Sequence, residues 1–126
     1  MDCKFCLAQP GLHSFHISQQ LSHHVCYHTC VREARDKNVS QIVQHIEGYL
    51  TNKPQFMTWE WSMDCRNFKI DSYTFELTMA LLRLIQKYHA TLLRFRLQHV
   101  NPFMRFFLEL CKPFLEDKVK QVLRIE

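Results

Sequence analysis

The sequence SHHVCYHTC at residues 22–30 gathers three histidines and two cysteines into nine positions. A catalytic dyad needs one cysteine and one histidine, and a disulfide needs two cysteines, so this stretch offers more ligands than either requires. Residues 1–30 hold four of the six cysteines and five of the eight histidines of the chain. Such clustering favours coordination of Zn²⁺, which thiolates and imidazoles bind in proteins.

Two cysteine pairs predict the ligands. Cys3 and Cys6 form a C-x2-C pair, whose tight turn aims two thiolates at one ion. Cys26 and Cys30 follow as C-x3-C, and they converge on the same ion if they lie on the opening turn of a helix that starts near residue 29. The most economical metal site is therefore Cys3, Cys6, Cys26 and Cys30.

Histidines provide alternatives to this set. His23 with Cys26 restores an x2 spacing and leaves Cys30 free, and His24 and His28 are further substitutes. Thirty residues with little apolar content cannot hold a fold by burial alone. A structural zinc site supplies an apparent ~10–16 kcal/mol that becomes folding free energy.

The sequences CKFC at 3–6 and FHISQQLSHHVCYHTCV at 15–31 resemble the N-terminal half of a RING finger and, more broadly, a treble-clef zinc module. Cys3 and Cys6 match the first pair of the RING pattern, and His23 and Cys26 match its H-x2-C step. The resemblance implies a ubiquitin-ligase scaffold that docks an E2 conjugating enzyme without catalytic side chains. It places Phe5, with Leu7 beside it, on the surface that grips that partner.

Composition indicates one domain, or a small module joined to one. The 126 residues are 47% hydrophobic and 13% aromatic, which is enough for a core. Only two glycines and four prolines favour helices with few tight turns. With no transmembrane stretch and no signal-peptide core in the sequence, we expect a cytoplasmic or nuclear protein with reduced cysteines, away from the membrane.

Apolar periodicity predicts a mostly α fold: a zinc-binding module at 1–37, then a helical bundle at 38–126 with a small β-hairpin at about 56–70. The expected helices cover about 40–50, 71–99, 102–112 and 113–124. The first has Asn38 or Ser40 as its N-cap, and the third starts at the Asn101-Pro102 pair. The alternation in FMTWEWSM at 56–63 indicates a half-buried strand, and residues 68–70 could form a short return strand.

Function follows from these features. No glycine-built oxyanion loop, phosphate loop or dinucleotide fingerprint is present in the sequence, so an enzyme is disfavoured. The best hypothesis is a zinc-binding protein–protein interaction or adaptor module, homodimeric through its apolar helices. The alternatives are the RING-type ligase component and a nucleic-acid-binding protein that uses Arg83, Lys87 and Arg94 on one helical stripe, at a formal charge of +4.

Overall fold

The computed structural model describes residues 3–69 and 72–126. The elements in chain order are α1 (Lys4–Ala8), β1 (His16–Gln20), β2 (His24–Cys30), α2 (Val39–Asn52), β3 (Thr58–Asp64), α3 (Ser72–Lys87), β4 (Leu92–Gln98), α4 (Pro102–Cys111), α5 (Asp117–Val122) and β5 (Leu123–Ile125). Short 3-10 turns lie at Val31–Glu33, His89–Thr91 and Lys112–Phe114. No helix among the described residues is both long and apolar enough to cross a membrane.

The strands form one five-stranded sheet in the order β1-β2-β3-β4-β5. β1 runs antiparallel to β2, and β2, β3, β4 and β5 are mutually parallel. The prediction of a mostly helical bundle with a small hairpin is therefore wrong, because the chain is an α/β fold. Residues 16–30, assigned from the sequence to the zinc module at 1–37, supply two strands of the sheet that continues through the expected helical domain at 38–126.

All the crossover helices lie on one side of the sheet. The parallel strands β2 to β5 lie side by side in the same order as in the sequence. Right-handed crossovers between neighbours in this order place every connecting helix on the same face of the sheet. On that face the two tryptophans of β3 are almost completely buried, Trp59 at 0% and Trp61 at 1% exposure. They share one core with Ile46 and Leu50 of α2 and Ile85 of α3.

The long helix predicted for residues 71–99 is wrong in its second half. The helix α3 ends at Lys87, and residues 92–98 form the strand β4. Phe95 and Leu97 are buried, whereas Arg94 is exposed and Arg96 is half-buried. This period of two indicates a strand with one buried face, but the leucines on either side also fit a helical stripe.

Several local predictions are confirmed. The side chain of Asn38 accepts a hydrogen bond from the amide of Gln41 and caps α2. Asn101 caps α4 in the same way by accepting from the amide of Met104 at 2.8 Å. The strand at 56–63 is present as β3. Residues 68 and 69 are not in a strand, and residue 70 of the expected return strand lies outside the described residues.

Candidate metal centre

Four side chains converge next to the N-terminus of the described chain: Cys3, Cys6, His13 and His45. One ligand atom from each lies within 4.8 Å of the others. The Sγ atoms of Cys3 and Cys6 are 3.6 and 3.4 Å from Nδ1 of His13, and Sγ of Cys6 is 3.8 Å from Nδ1 of His45. Tetrahedral zinc with Zn–S near 2.3 Å and Zn–N near 2.0 Å separates sulfur from nitrogen by about 3.6 Å. This cluster can therefore bind a metal ion.

Local structure brings three of these ligands together. The amide of Leu7 donates to the carbonyl of Cys3 at 3.0 Å, and this first turn of α1 places the two thiols three residues apart on one side. Gly11 has φ +77°, a left-handed conformation that suits glycine, and there the chain reverses towards His13. The amides of Arg35 and Asp36 donate to the carbonyl of Leu12, which fixes this loop against the segment before α2.

The fourth ligand comes from α2. His45 is 8% exposed and lies on the helix face that packs onto the sheet. Its ring packs 4.7 Å from that of His13, centroid to centroid, and 5.3 Å from that of Tyr49. The aromatic surroundings leave the imidazole little freedom to rotate away from the thiols.

Both histidines are oriented by acceptors on their far side. Nε2 of His13 donates to Oδ2 of Asp36 at 2.7 Å, and Nε2 of His45 donates to the carbonyl of Phe15 at 2.8 Å. With the proton on Nε2, each Nδ1 presents its lone pair towards the two thiols. Carboxylate and carbonyl partners of this kind are typical of histidines that bind metal.

Burial affects the protonation of the cluster. It lowers the pKa of His45, which favours the neutral imidazole that binds metal. Burial also raises the pKa of the Cys6 thiol, with smaller opposing effects from hydrogen bonds of the His13 and Leu12 backbone. An ion must therefore displace thiol protons, so its affinity rises with pH.

The structure brings together half of the predicted cysteine set. Cys3 and Cys6 are in the cluster, but Cys26 and Cys30 lie in β2 and are not part of it. Residues four apart on a strand are separated by about 13 Å, so these two thiols cannot share one ion. The helix expected to start near residue 29 is absent, since β2 continues to Cys30 and a 3-10 turn follows it. His23 is exposed in the turn between β1 and β2.

Sequence patterns did not predict two residues of the cluster, His13 and His45. His13 lies seven residues beyond Cys6, and His45 lies 39 residues beyond Cys6, outside any finger-like spacing. The available signal for His45 was its position among the apolar residues of the predicted helix at 40–50, where a histidine is unexpected. Nothing in the sequence placed that helix face beside α1.

The other predicted residues are dispersed. Phe5 is half-buried with its ring edge-on to His13, and Leu7 is 69% exposed. The predicted basic stripe does not form on one helix: Arg83 and Lys87 belong to α3, whereas Arg94 lies on β4. Nζ of Lys87 contacts Oε2 of Glu47 at 2.7 Å, and the Arg94 guanidinium lies 3.6 Å from Oε1 of Glu60.

Comparison with solved structures supports the α/β assignment. The chain is similar to the crystal structure of Sfh5, with a TM-score of 0.68 at 14% sequence identity over 99% of this chain. It spans 51% of the Sfh5 chain, and an identity this low shows a shared fold alone. No protein-family model matches the sequence, and no curated protein matches it.

Proposed function

We propose that this protein is a non-enzymatic, zinc-binding interaction module. The observation that supports it is the Cys3–Cys6–His13–His45 cluster, which offers four protein ligands of the types that zinc prefers. Zinc sites with four protein ligands are structural, whereas catalytic sites keep a position for water or substrate. The ion would hold α1 and the loop after it against α2.

The interaction surface in this proposal is a stripe of apolar side chains on α4 and the turn after it. We define the α4 stripe as Phe103, Phe106, Leu110 and Phe114. Their exposed fractions are 71%, 64%, 53% and 53%. With aromatic side chains of roughly 150–250 Å² each, the stripe exposes about 400–500 Å² of apolar surface. That is near the upper end of what a monomer leaves in water.

The proposed occupant of the stripe is a second copy of the chain. A stable interface needs about 800 Å² per partner, and the apolar stripe alone would supply about 400–500 Å² of it. Arg105 and Glu109 are exposed one helical turn apart on α4. An antiparallel α4 from a second copy would place each Arg105 beside the Glu109 of the other copy, as a two-fold interface requires.

Metal content tests the zinc part of the proposal. Elemental analysis combined with native mass measurement should show that His45→Ala loses one zinc equivalent per chain relative to the unmodified protein. His23→Ala is the matched control, because His23 is exposed and outside the cluster. Full zinc content in His45→Ala would contradict the proposed site.

Light scattering tests the dimer. Leu110→Glu should convert a dimer to a monomer, because it places a charge within the α4 stripe. Leu21→Glu introduces the same change at the same exposure, 54% against 53%, in the turn between β1 and β2, and should leave the dimer intact. A monomeric unmodified protein at micromolar concentration, or a dimer that survives Leu110→Glu, would overturn the second-copy assignment.

A further inference from the structure

The ligand-rich stretch 22–30 lies on the side of the sheet that carries no crossover helix. The core residues of β2, β3 and β4 point to the helices, so alternate residues point to the opposite side. At the ends of β2 and β3 the alternate residues Cys30 and Asp64 are buried, whereas those nearer the middle of the two strands are only half-buried. We call this surface the polar face and define it by His16, His24, Cys26, His28, Thr58, Glu60, Ser62, Arg94, Arg96 and Gln98.

Such a face is unusual for parallel strands. Parallel sheets are generally covered on both sides and apolar on both. Here four neighbouring parallel strands alternate between a buried apolar face and an open face of histidines, arginines and a carboxylate. Within the described residues, the polar face is therefore available for ligands.

Three side chains on the polar face converge. Cys26 and Glu60 pair across the β2–β3 register, and His24 lies two residues before Cys26 on the same face. One ligand atom from each of the three lies within 4.8 Å of the others. The two strands fix this arrangement, because neighbouring strands hold paired residues about 5 Å apart.

The histidine of this group is also oriented. Nδ1 of His24 is 2.8 Å from Oγ1 of Thr58, and Nε2 lies 2.7 Å from Oε1 of Glu60. The contact with Thr58 directs Nε2 towards the carboxylate and the Cys26 thiol. A cation at this position would find the Nε2 lone pair, a carboxylate oxygen and sulfur on three sides.

We propose that His24, Cys26 and Glu60 form a second zinc site with an open coordination position on the polar face. Three ligands of mixed nitrogen, sulfur and oxygen type match zinc sites that keep a fourth position for water or an external ligand, and they do not suit Mg²⁺ or Ca²⁺, which prefer oxygen. Zinc would bind the unprotonated Nε2 of His24, with the ring proton on Nδ1 donated to Oγ1 of Thr58, and binding releases the proton of the Cys26 thiol. This proposal does not depend on the first site, which has four other ligands.

The second site binds more weakly than the first. It has three protein ligands instead of four, and the guanidinium of Arg94 lies 3.6 Å from Oε1 of Glu60. That guanidinium repels a cation, although its side chain is 54% exposed and can turn into water when zinc binds. We therefore expect a chelator to remove zinc from the polar face at a concentration at least tenfold lower than from the Cys3–Cys6–His13–His45 cluster.

Titration of the metal-free full chain with zinc, followed by native mass measurement, tests this proposal. The unmodified protein should bind two zinc ions, Cys26→Ser should bind one, and Glu60→Gln should bind the second ion at least tenfold more weakly. His28→Ala is the matched control, because His28 lies on the same strand and face but outside the group, with its Nδ1 3.0 Å from Oγ of Ser62. Thermal melts should confirm that Cys26→Ser remains folded.

The outcomes separate the two zinc proposals. If the unmodified protein binds one ion and only His45→Ala removes it, the site on the polar face is overturned and the proposed function stands. If only Cys26→Ser removes the single ion, the Cys3–Cys6–His13–His45 site is overturned instead. Binding of two zinc ions by Cys26→Ser would also overturn the second site. If Co²⁺ replaces zinc, the unmodified protein should show thiolate-to-metal absorption from both sites, and loss of one such band in Cys26→Ser would support the second site.

Discussion

Asp36→Asn isolates the contribution of an acceptor that lies outside the ligand set. In the folded protein Oδ2 of Asp36 accepts the Nε2 proton of His13 at 2.7 Å, and Oδ1 accepts the amide of Asn38 at 2.9 Å. Asparagine keeps Oδ1 for the Asn38 amide and has nearly the same shape. What it removes is the charged acceptor at the Oδ2 position: the asparagine NH2 group there faces the Nε2 proton that His13 carries when its Nδ1 binds an ion.

The expected magnitude follows from that geometry. Removing a hydrogen-bonded carboxylate behind a metal-binding histidine typically lowers metal affinity ~10–100-fold, or about 1.4–2.7 kcal/mol. At saturating zinc the same free energy is lost from folding stability. For a chain of this size it corresponds to a fall in Tm of roughly 5–15 °C. In excess chelator the fall in Tm should be smaller, because the metal-free imidazole can move its proton to Nδ1 and accept from the asparagine NH2 group through Nε2.

The assay is a pair of thermal melts of Asp36→Asn and unmodified protein, one with saturating zinc and one with excess chelator. The fall in Tm caused by Asp36→Asn should be several degrees larger with zinc than with chelator. Asp36→Ala is the contrasting variant, since it also loses the acceptor for Asn38 and should lower both melts. Equal shifts of Asp36→Asn in the two conditions would refute the role of Asp36 in supporting a metal ligand.

Three further predictions concern stability. Trp59→Ala should lower the free energy of unfolding in urea by about 3–5 kcal/mol, because Trp59 is fully buried; a loss below 1 kcal/mol would contradict the placement of the core. Asn101→Ala should cost about 1 kcal/mol in the same assay by removing the cap on the Met104 amide, and Asn101→Asp should restore most of it. The Arg66 guanidinium bonded to Asp64 holds the pKa of that carboxyl well below its usual value, so its stabilisation is full above about pH 4 and is lost as pH falls towards the folded-state pKa. Asp64→Asn should therefore flatten the acid side of the stability–pH curve, and an unchanged acid slope would refute this.

The sequence predicted elements whose signals are local. The caps at Asn38 and Asn101 and the alternation through Trp59 and Trp61 each lie within a few residues and required no knowledge of distant contacts. It failed where two periodicities overlapped, since the leucines that continue from α3 into β4 fit a helical stripe as well as a strand. The strand β2 was misread because its cysteines and histidines were interpreted as ligands on a helix.

The candidate metal site also combines residues that local spacing predicts with residues that only the fold brings together. Cys3 and Cys6 have a short spacing that indicates a site directly, and both belong to the cluster. His45 reaches it only because α2 packs beside α1, which depends on the whole sheet and cannot be deduced from spacing. The RING resemblance, with its implied role for Phe5, stays a prediction, as does the nucleic-acid hypothesis.

The short helix α1 buries none of its residues. Phe5 and Cys6 are only half-buried there, so the segment around residues 3–8 would depend largely on the proposed ion and a few hydrogen bonds to stay attached, while the sheet and its helical layer keep their own core. Withdrawal of metal would then free the amino-terminal end without melting the body of the molecule. Protease cleavage within the first dozen residues would then report whether the proposed zinc site is occupied.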